Sequence, residues 1–492
     1  MITNKEQQIK NSFIYMLPII VSGILPLITL PIFTRILSKE DFGVLALANL
    51  YAIFANGLAN LGMTEAYRRN YFQYRNSRLK TAQLLYSALL FVTVNFLIIA
   101  VLTFSFKGAL SKLIIGSVEH RDILFWAFCS QFFTSISYYY MTYFKNSETA
   151  KSFVVYTITG SILYFVISLF LVAYLRIGVI GLIYAQLCSG VIIFSILNYK
   201  FITNLKPSLS RKMLIESLKI SYPLTPRIFL GVIGSQFDKY MIGLLGSMGG
   251  VGIYSIGQRV ASTIFEYLKA IHNVYQPQVF RRMFDLGEKG GESVGRYLTP
   301  FVCAYISGAL MMSLFSEELI TVLTPSSYHG AIDIVIIIAM YYGFLFFGTH
   351  PQLLYAKKTG ITSILSIGRI SLNIALNIPF IMKWGAIGAA WATLLAALIS
   401  ESISFAVSQH YYEIKWEYKK IASIYALFFA SSLLMIMLRY FSVHYEYRLI
   451  FKSVSLATYV YLGAKLKVFT VENYLLIKDI ITFKRIATSD PA

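Results

Sequence analysis

Three arginines stand where a charge is costly. Arg227, Arg259 and Arg369 each lie well inside a long apolar run, and a charged side chain at membrane depth costs roughly 2.5–3.5 kcal/mol or more unless it faces protein or water. Their chemistry suits an anion. A guanidinium presents rigid, forked donors that match phosphate oxygens, and Lys239, directly after Asp238, adds a compact cation to the run that holds Arg227. Arg227, Lys239, Arg259 and Arg369 are therefore the expected lining of a cationic cavity. Internal pairing is the competing expectation: Glu266 and Lys269, for example, stand at i, i+3 on one helical face. Four acids in the apolar runs, Asp238, Glu266, Asp333 and Glu401, are candidates to bind a coupling proton or sodium ion, although helix-borne acids also serve as structural partners.

A fifth cation sits at a helix lip. In "LPIFTRILSKEDFG", Leu30 to Gly43, an apolar run ends at Arg35 and another begins at Gly43. Ser38, Glu40 and Asp41 form the expected start of the second helix, since acids suit its positive N-terminus. Arg35 has two readings, an interfacial anchor whose long side chain snorkels or a phosphate contact at the exit of a path.

Other chemistries find no support. A nucleotide-binding P-loop needs Gly-Lys at its core, and that dipeptide is absent. The six histidines show neither HExxH spacing nor a neighbouring cysteine cluster, so no metal site is expected. Cys129, Cys188 and Cys303 are an odd, scattered set inside apolar runs, which is no disulfide framework.

The elements that position these residues are membrane helices. Of 492 residues 57% are hydrophobic and 13% charged, where a soluble chain carries roughly 25% charged residues. Runs long enough to span a bilayer, about 20 residues each, recur from end to end. They begin near Asn11, Gly43, Ala82, Asp122, Phe153, Gly178, Ser217, Val251, Tyr297, Ala331, Ile361, Gly385, Ile421 and Leu449. The fold class is thus all-α and polytopic, with about fourteen spans. The first run is expected to be a retained helix, because it is too long for a signal peptide and lacks a small-x-small site. The net charge of +20 raises the question of nucleic acid, but most of the 43 Lys and Arg residues fall on one side of the spans, as in Arg68, Arg69, Lys206, Arg281 and Arg282. By the positive-inside rule that side is cytoplasmic. An even span count places both termini there, facing anionic lipids. Only Arg227, Arg259, Lys269 and Arg369 are counted within spans.

An internal repeat organises the spans. "GVIGLIYAQL" from Gly178 and "GAIGAAWATL" from Gly385 share the pattern G-x-I-G-x-x-aromatic-A-x-L at an offset of 207, and Gly43 matches Gly252 at 209. Six spans per offset is an even number, so the halves are parallel, related by an axis along the membrane normal. The expected division is an N-lobe over 1–205, a C-lobe over 206–410, and two further helices with a cytoplasmic tail over 411–492. A parallel two-lobed bundle is transporter architecture.

"LPIFTRILSKEDFGVLALA", "YPLTPRIFLGVIGSQFDKYMIGLLGSMGGVGIYSIGQRV" and "WGAIGAAWATLLAALISE" resemble the bacterial polysaccharide transporter family of the multidrug/oligosaccharidyl-lipid/polysaccharide exporter superfamily. The resemblance runs over essentially the whole chain. It implies a flippase that moves polyprenyl-pyrophosphate-linked O-antigen or capsule units, as in lipopolysaccharide biosynthesis, across the bacterial inner membrane by alternating access. It implies no cofactor, coupling to a proton or sodium gradient, and a glycan polymerase and chain-length regulator as partners. The alternatives are a peptidoglycan-precursor flippase, a cation-coupled antiporter of small molecules, and a membrane glycan polymerase. The multidrug branch generally uses a membrane acid in its N-lobe for cation coupling, and the first span here has none; a polymerase would need a sizeable outer loop, and the outer loops are short.

Overall fold

The computed structural model describes residues 18, 21, 23, 25–348 and 350–468. The start of the first span and the tail after Val468 lie outside the described residues, as do both termini. Every regular element among the described residues is helical: α1 (Leu25–Ile36), α2 (Lys39–Asn60), α3 (Met63–Tyr74), α4 (Arg78–Ser105), α5 (Lys107–Ile114), α6 (Arg121–Asn146), α7 (Ala150–Ser168), α8 (Ile180–Asn204), α9 (Arg211–Leu245), α10 (Met248–Leu286), α11 (Gly290–Leu314), α12 (Ser316–Leu323), α13 (Ala331–Phe344), α14 (Pro351–Tyr355), α15 (Thr359–Tyr411), α16 (Tyr418–Tyr440) and α17 (Tyr445–Lys465). From the second span onward, every expected span falls on one of these helices.

Nine helices among the described residues are long and apolar enough to cross a bilayer by themselves. Two of the further spans have a physical reason. α15 holds two, because Gly385 at φ 59°, ψ −135° breaks its 53 residues into two arms. α6 is more polar than a lipid-exposed helix because it is an inner one: Phe128, Tyr139 and Tyr140 are fully buried and Ser130 donates to the Ala127 carbonyl.

The helix starts follow local chemistry. At α2, Ser38 is the N-cap: its Oγ accepts from the Asp41 N–H at 3.1 Å, and Asp41 Oδ2 accepts from the Ser38 N–H at 2.9 Å. This reciprocal capping box satisfies two donors that a helix start leaves free. Ser77 and Ser210 cap α4 and α9 one-sidedly, their side chains accepting from the Lys80 and Met213 N–H groups.

The chain folds as two units, Met1–Gly252 with Leu323–Pro325, and Ile253–Val322 with Ser326–Ala492. In the first, α6 packs against α2, α4 and α8. α2 turns Ala48, Ala52, Ala55 and Ala59 inward, a small-residue stripe that lets helices approach where lipid offers no hydrophobic drive. Phe96 stacks on Phe128 and Phe132 across α4 and α6. The first turns of α2 and α10 meet through glycine: a Cβ on Gly43 would collide with the Met248 carbonyl, and one on Gly252 with the Lys39 carbonyl. In the second unit α11 and α13 form the core, with Ile334 to Met340 buried. Tyrosine hydroxyls tie its helices together, Tyr305 to the Tyr342 carbonyl, Tyr425 to Gly343 and Tyr459 to Cys303. α16 and α17, an appendix to the repeat in sequence, are integral to this unit.

Candidate functional site

In the first unit, Arg35 is exposed and folds back so that its Nη1 donates to the Pro31 carbonyl of α1 at 2.5 Å. That contact places a cation at a helix C-terminus, where it complements the dipole. Arg227 lies in α9 just past Pro223 and Pro226. It is exposed, and no ion pair or hydrogen bond holds it among the described residues. Asp238 is buried at 8% exposure, and the next residue, Lys239, donates to Gln236 at 2.8 Å.

In the second unit, α10 presents Arg259, Glu266 and Lys269 as exposed residues. Lys269 pairs with Glu266 at 2.8 Å and lies 4.4 Å over the Phe265 ring. With each side chain about half exposed, 50% and 52%, this pair contributes little to stability. Asp333, at the start of α13, pairs with Arg439 at the end of α16, 2.8 Å apart and largely buried.

Arg369 and Glu401 meet. Arg369 projects from the first arm of α15 and Glu401 from the second, and Nη1 reaches Oε1 at 3.1 Å. The other carboxylate oxygen lies 3.3 Å from His350 Nε2. Exposure falls from 39% at Arg369 to 6% at Glu401 and 9% at His350. Phe344, Phe347, Phe405 and Trp416, with Glu401 itself, wall a cavity of about 230 Å³. The carboxylate is therefore shared between two nitrogen bases in an apolar setting, where each hydrogen bond is electrostatically stronger than in water. His350 is set by a break in the tenth span: α13 ends in a 3-10 turn at Leu345–Gly348, and Pro351 starts α14. Gly348 leaves room for the acid, since a Cβ there would come within 3.3 Å of the Glu401 carboxylate.

Some charged groups were invisible to spacing alone. His350 stands at the end of an apolar run beside a proline, a signal of a broken helix that the search for metal motifs passes over. Lys452 is a cation inside the last span in addition to the four counted. It is fully buried in α17, contacting Glu318 at 2.5 Å and Glu317 at 3.3 Å, while Arg448 pairs with Glu317 at 2.9 Å. Among the described residues no three His, Cys, Asp or Glu side chains gather as metal ligands.

Residues 32–333 match the family model described as polysaccharide biosynthesis protein. Among curated proteins, the "Probable low-salt glycan biosynthesis flippase Agl15" of Haloferax volcanii is 25% identical over 196 residues, 39% of this chain and 41% of that protein. The chain thus matches less than half the length of this relative. Among solved structures, the lipid II flippase MurJ in an inward closed conformation superposes with TM-score 0.69 at 16% identity, over 93% of this chain and 98% of that one. An inward-facing multidrug resistance MATE family transporter of the MOP superfamily gives 0.55 at 16% identity, over 80% and 93%. At such identities the likeness is one of fold.

Proposed function

From a chain that belongs to the polysaccharide biosynthesis protein family, we propose a flippase that carries polyprenyl-pyrophosphate-linked oligosaccharide units from the inner to the outer leaflet of the cytoplasmic membrane. The observation that carries this reading is the pairing of that membership with a multi-pass fold like that of the solved lipid II flippase MurJ. O-antigen or capsule repeat units are the substrates proposed, with both termini in the cytoplasm and a glycan polymerase downstream.

The cations fit the task. A pyrophosphate linker brings negative charge that must cross the hydrocarbon layer, and Arg227, Arg259 and Arg369 offer guanidinium groups inside the apolar spans to neutralise it by charge-assisted hydrogen bonds. Arg227, exposed and unpaired among the described residues, is the clearest candidate for a group held ready for a ligand. Lys239 and Arg35 are proposed further along the same path. Asp238, Glu266, Asp333 and Glu401 are the proposed sites for a coupling ion. The chemistry asked of such a protein is binding and release, with no covalent step.

The test is direct. The purified chain is reconstituted into vesicles carrying a polyprenyl-pyrophosphate-linked oligosaccharide on one leaflet, and exposure of the sugar to an impermeant glycosidase is followed on the other. Protein-dependent exposure that is weakened by Arg227→Ala is the expected result. Exposure no faster than in protein-free vesicles overturns the proposal. Faster movement of a peptidoglycan precursor than of the oligosaccharide would assign the alternative substrate.

A further inference from the structure

Arg369 and Glu401 were expected to do separate things, one to bind an anion and the other an ion used for coupling. They are one site. We propose that Arg369, Glu401 and His350 bind a proton and a phosphate-bearing ligand together, the proton on His350 releasing Arg369 from Glu401 so that its guanidinium can serve the phosphate. This deepens the flippase reading and rests on it, since it takes the diphosphate of the proposed substrate as the ligand.

The argument starts from charge. With His350 neutral, the buried Glu401 carboxylate balances Arg369. A phosphate approaching the exposed side of Arg369 meets a guanidinium already committed by Nη1 to that acid, 3.1 Å away. It also meets the acid's negative charge behind the guanidinium, and two anions competing for one cation in an apolar wall repel each other. A proton on His350 alters both terms. The imidazolium becomes a cationic donor to Oε2, from which it stands 3.3 Å away, and the acid has a second positive partner. Arg369 can then turn its fork outward without leaving a buried carboxylate unpaired, the condition that makes breaking a buried pair costly. Histidine suits this role because its charge changes between about pH 5 and 8. By reciprocity, whatever the proton adds to phosphate affinity the phosphate adds to proton affinity.

The surroundings leave the balance to these three groups. Of the other charged residues on the elements packed here, Asp333 of α13 is held by Arg439, and Glu417, at the N-cap of α16, by Lys420 at 2.6 Å. Lys419, beside that pair, Lys357 and Lys358 after α14, Glu413 and Lys415 before α16, and Lys383 and His410 of α15 make no ion pair with Glu401. Tyr418, on the cavity wall, accepts a hydrogen bond from Gln409.

The experiment measures binding of inorganic pyrophosphate to the full chain in detergent by calorimetry between pH 8 and pH 6. Wild type should gain affinity as pH falls, by up to about tenfold per pH unit, the limit for one linked proton. His350→Gln should lose this gain and keep only the part due to titration of pyrophosphate itself. Glu401→Gln should bind at pH 8 as tightly as wild type does at pH 6 once the part due to pyrophosphate's own titration, read from His350→Gln, is subtracted. Arg369→Ala should remove the binding, and Arg369→Lys should restore part of it. A His350→Gln slope equal to that of wild type overturns the inference. So does a Glu401→Gln protein of unchanged melting temperature that binds more weakly at pH 8; if that variant does not fold, the His350→Gln slope decides alone. Arg369-dependent binding without a pH effect leaves the flippase reading standing while this inference falls. If no pyrophosphate binding depends on Arg369, the phosphate role of this residue falls with it, and the vesicle assay judges transport separately.

Discussion

Arg369 and Arg227 separate two roles that an arginine in an apolar span can have. Replacing Arg369 by Ala leaves a carboxylate at 6% exposure with His350 as its one remaining ion-pair partner among the described residues, and breaking a buried ion pair from one side costs about 3–5 kcal/mol. Because the guanidinium is 39% exposed, the lower end of that range is expected, read as reduced abundance in the membrane and a lowered melting temperature. Adding Glu401→Gln should restore abundance while glycan export stays impaired. Arg227→Ala removes no partner among the described residues, so export should fall at normal abundance. Normal export from the Ala variants of Arg227, Arg259 and Arg369, all at normal abundance, would refute the cationic path. A different residue governs the response to acid. Burial would raise the Glu318 carboxyl, but hydrogen bonds from Lys452 and Tyr445 outweigh it and hold the group below the ordinary glutamate range. A carboxyl lowered in the folded state adds stability above its unfolded value and loses it as pH falls through the folded one. Melting temperature should therefore be level from neutral pH down to the ordinary glutamate range and drop below it, and Glu318→Gln should flatten that acid limb. The charged residues themselves were legible as anomalies in apolar runs. Their partners were not: Arg369 and Glu401 are 32 positions apart, and only the folding of α15 at Gly385 brings them together.

The elements were largely written in local chemistry, and the exceptions have causes. Ser38 and Asp41 at the start of α2 could be read as a helix start because a capping box is local. The short helices α3, α5, α12 and α14 could not, since they lie in polar or mixed connections without a bilayer-length pattern. α16 and α17 looked peripheral because they stand outside the repeat, whereas the buried Tyr459 hydroxyl on the Cys303 carbonyl and the fully buried Lys452 tie α17 into the second unit. Gly385 was legible as half of a motif and as the start of a span, but its backbone conformation was not. Its φ of 59° and ψ of −135° belong to a region that side chains avoid. Gly385→Ala should cost about 1–3 kcal/mol of stability, measured by thermal unfolding in detergent. Gly368, in the same helix with ordinary backbone angles and nothing within 4 Å of an added Cβ, is the control: Ala there should stabilise by up to about 1 kcal/mol. Equal effects at the two positions would show that helix propensity, not the break, sets the cost.

At the scale of the whole molecule, the repeat and the orientation stand or fall together. Gly178 and Gly385, related by an offset of 207, both take positive φ, Gly178 two residues before α8 and Gly385 at the break inside α15. The offset of 209 that relates Gly43 to Gly252 also relates Lys39 to Met248, so the contacts Gly43 to Met248 and Gly252 to Lys39 exchange under the repeat. The division into lobes 1–205 and 206–410 followed by the pair 411–492 is proposed on this repeat. A duplication in the same direction carries its charge bias twice. Lys206 follows α8 and Arg282 ends α10, two spans apart, so they must lie on one side. Lys112 in α5 and Ser326 after α12 are each an odd number of spans away from them and must lie on the other. In the proposed orientation, the excess of Lys and Arg makes the first side the cytoplasmic one. Reporter fusions after Lys206 and Arg282 should therefore behave as cytoplasmic, and fusions at Lys112 and Ser326 as exported. A pattern reversed throughout would keep the helix count and invert the orientation, placing the His350 site at the outer end of its spans. A pattern in which Lys206 and Arg282 differ would break the span parity itself, and with it the parallel relation of the two halves.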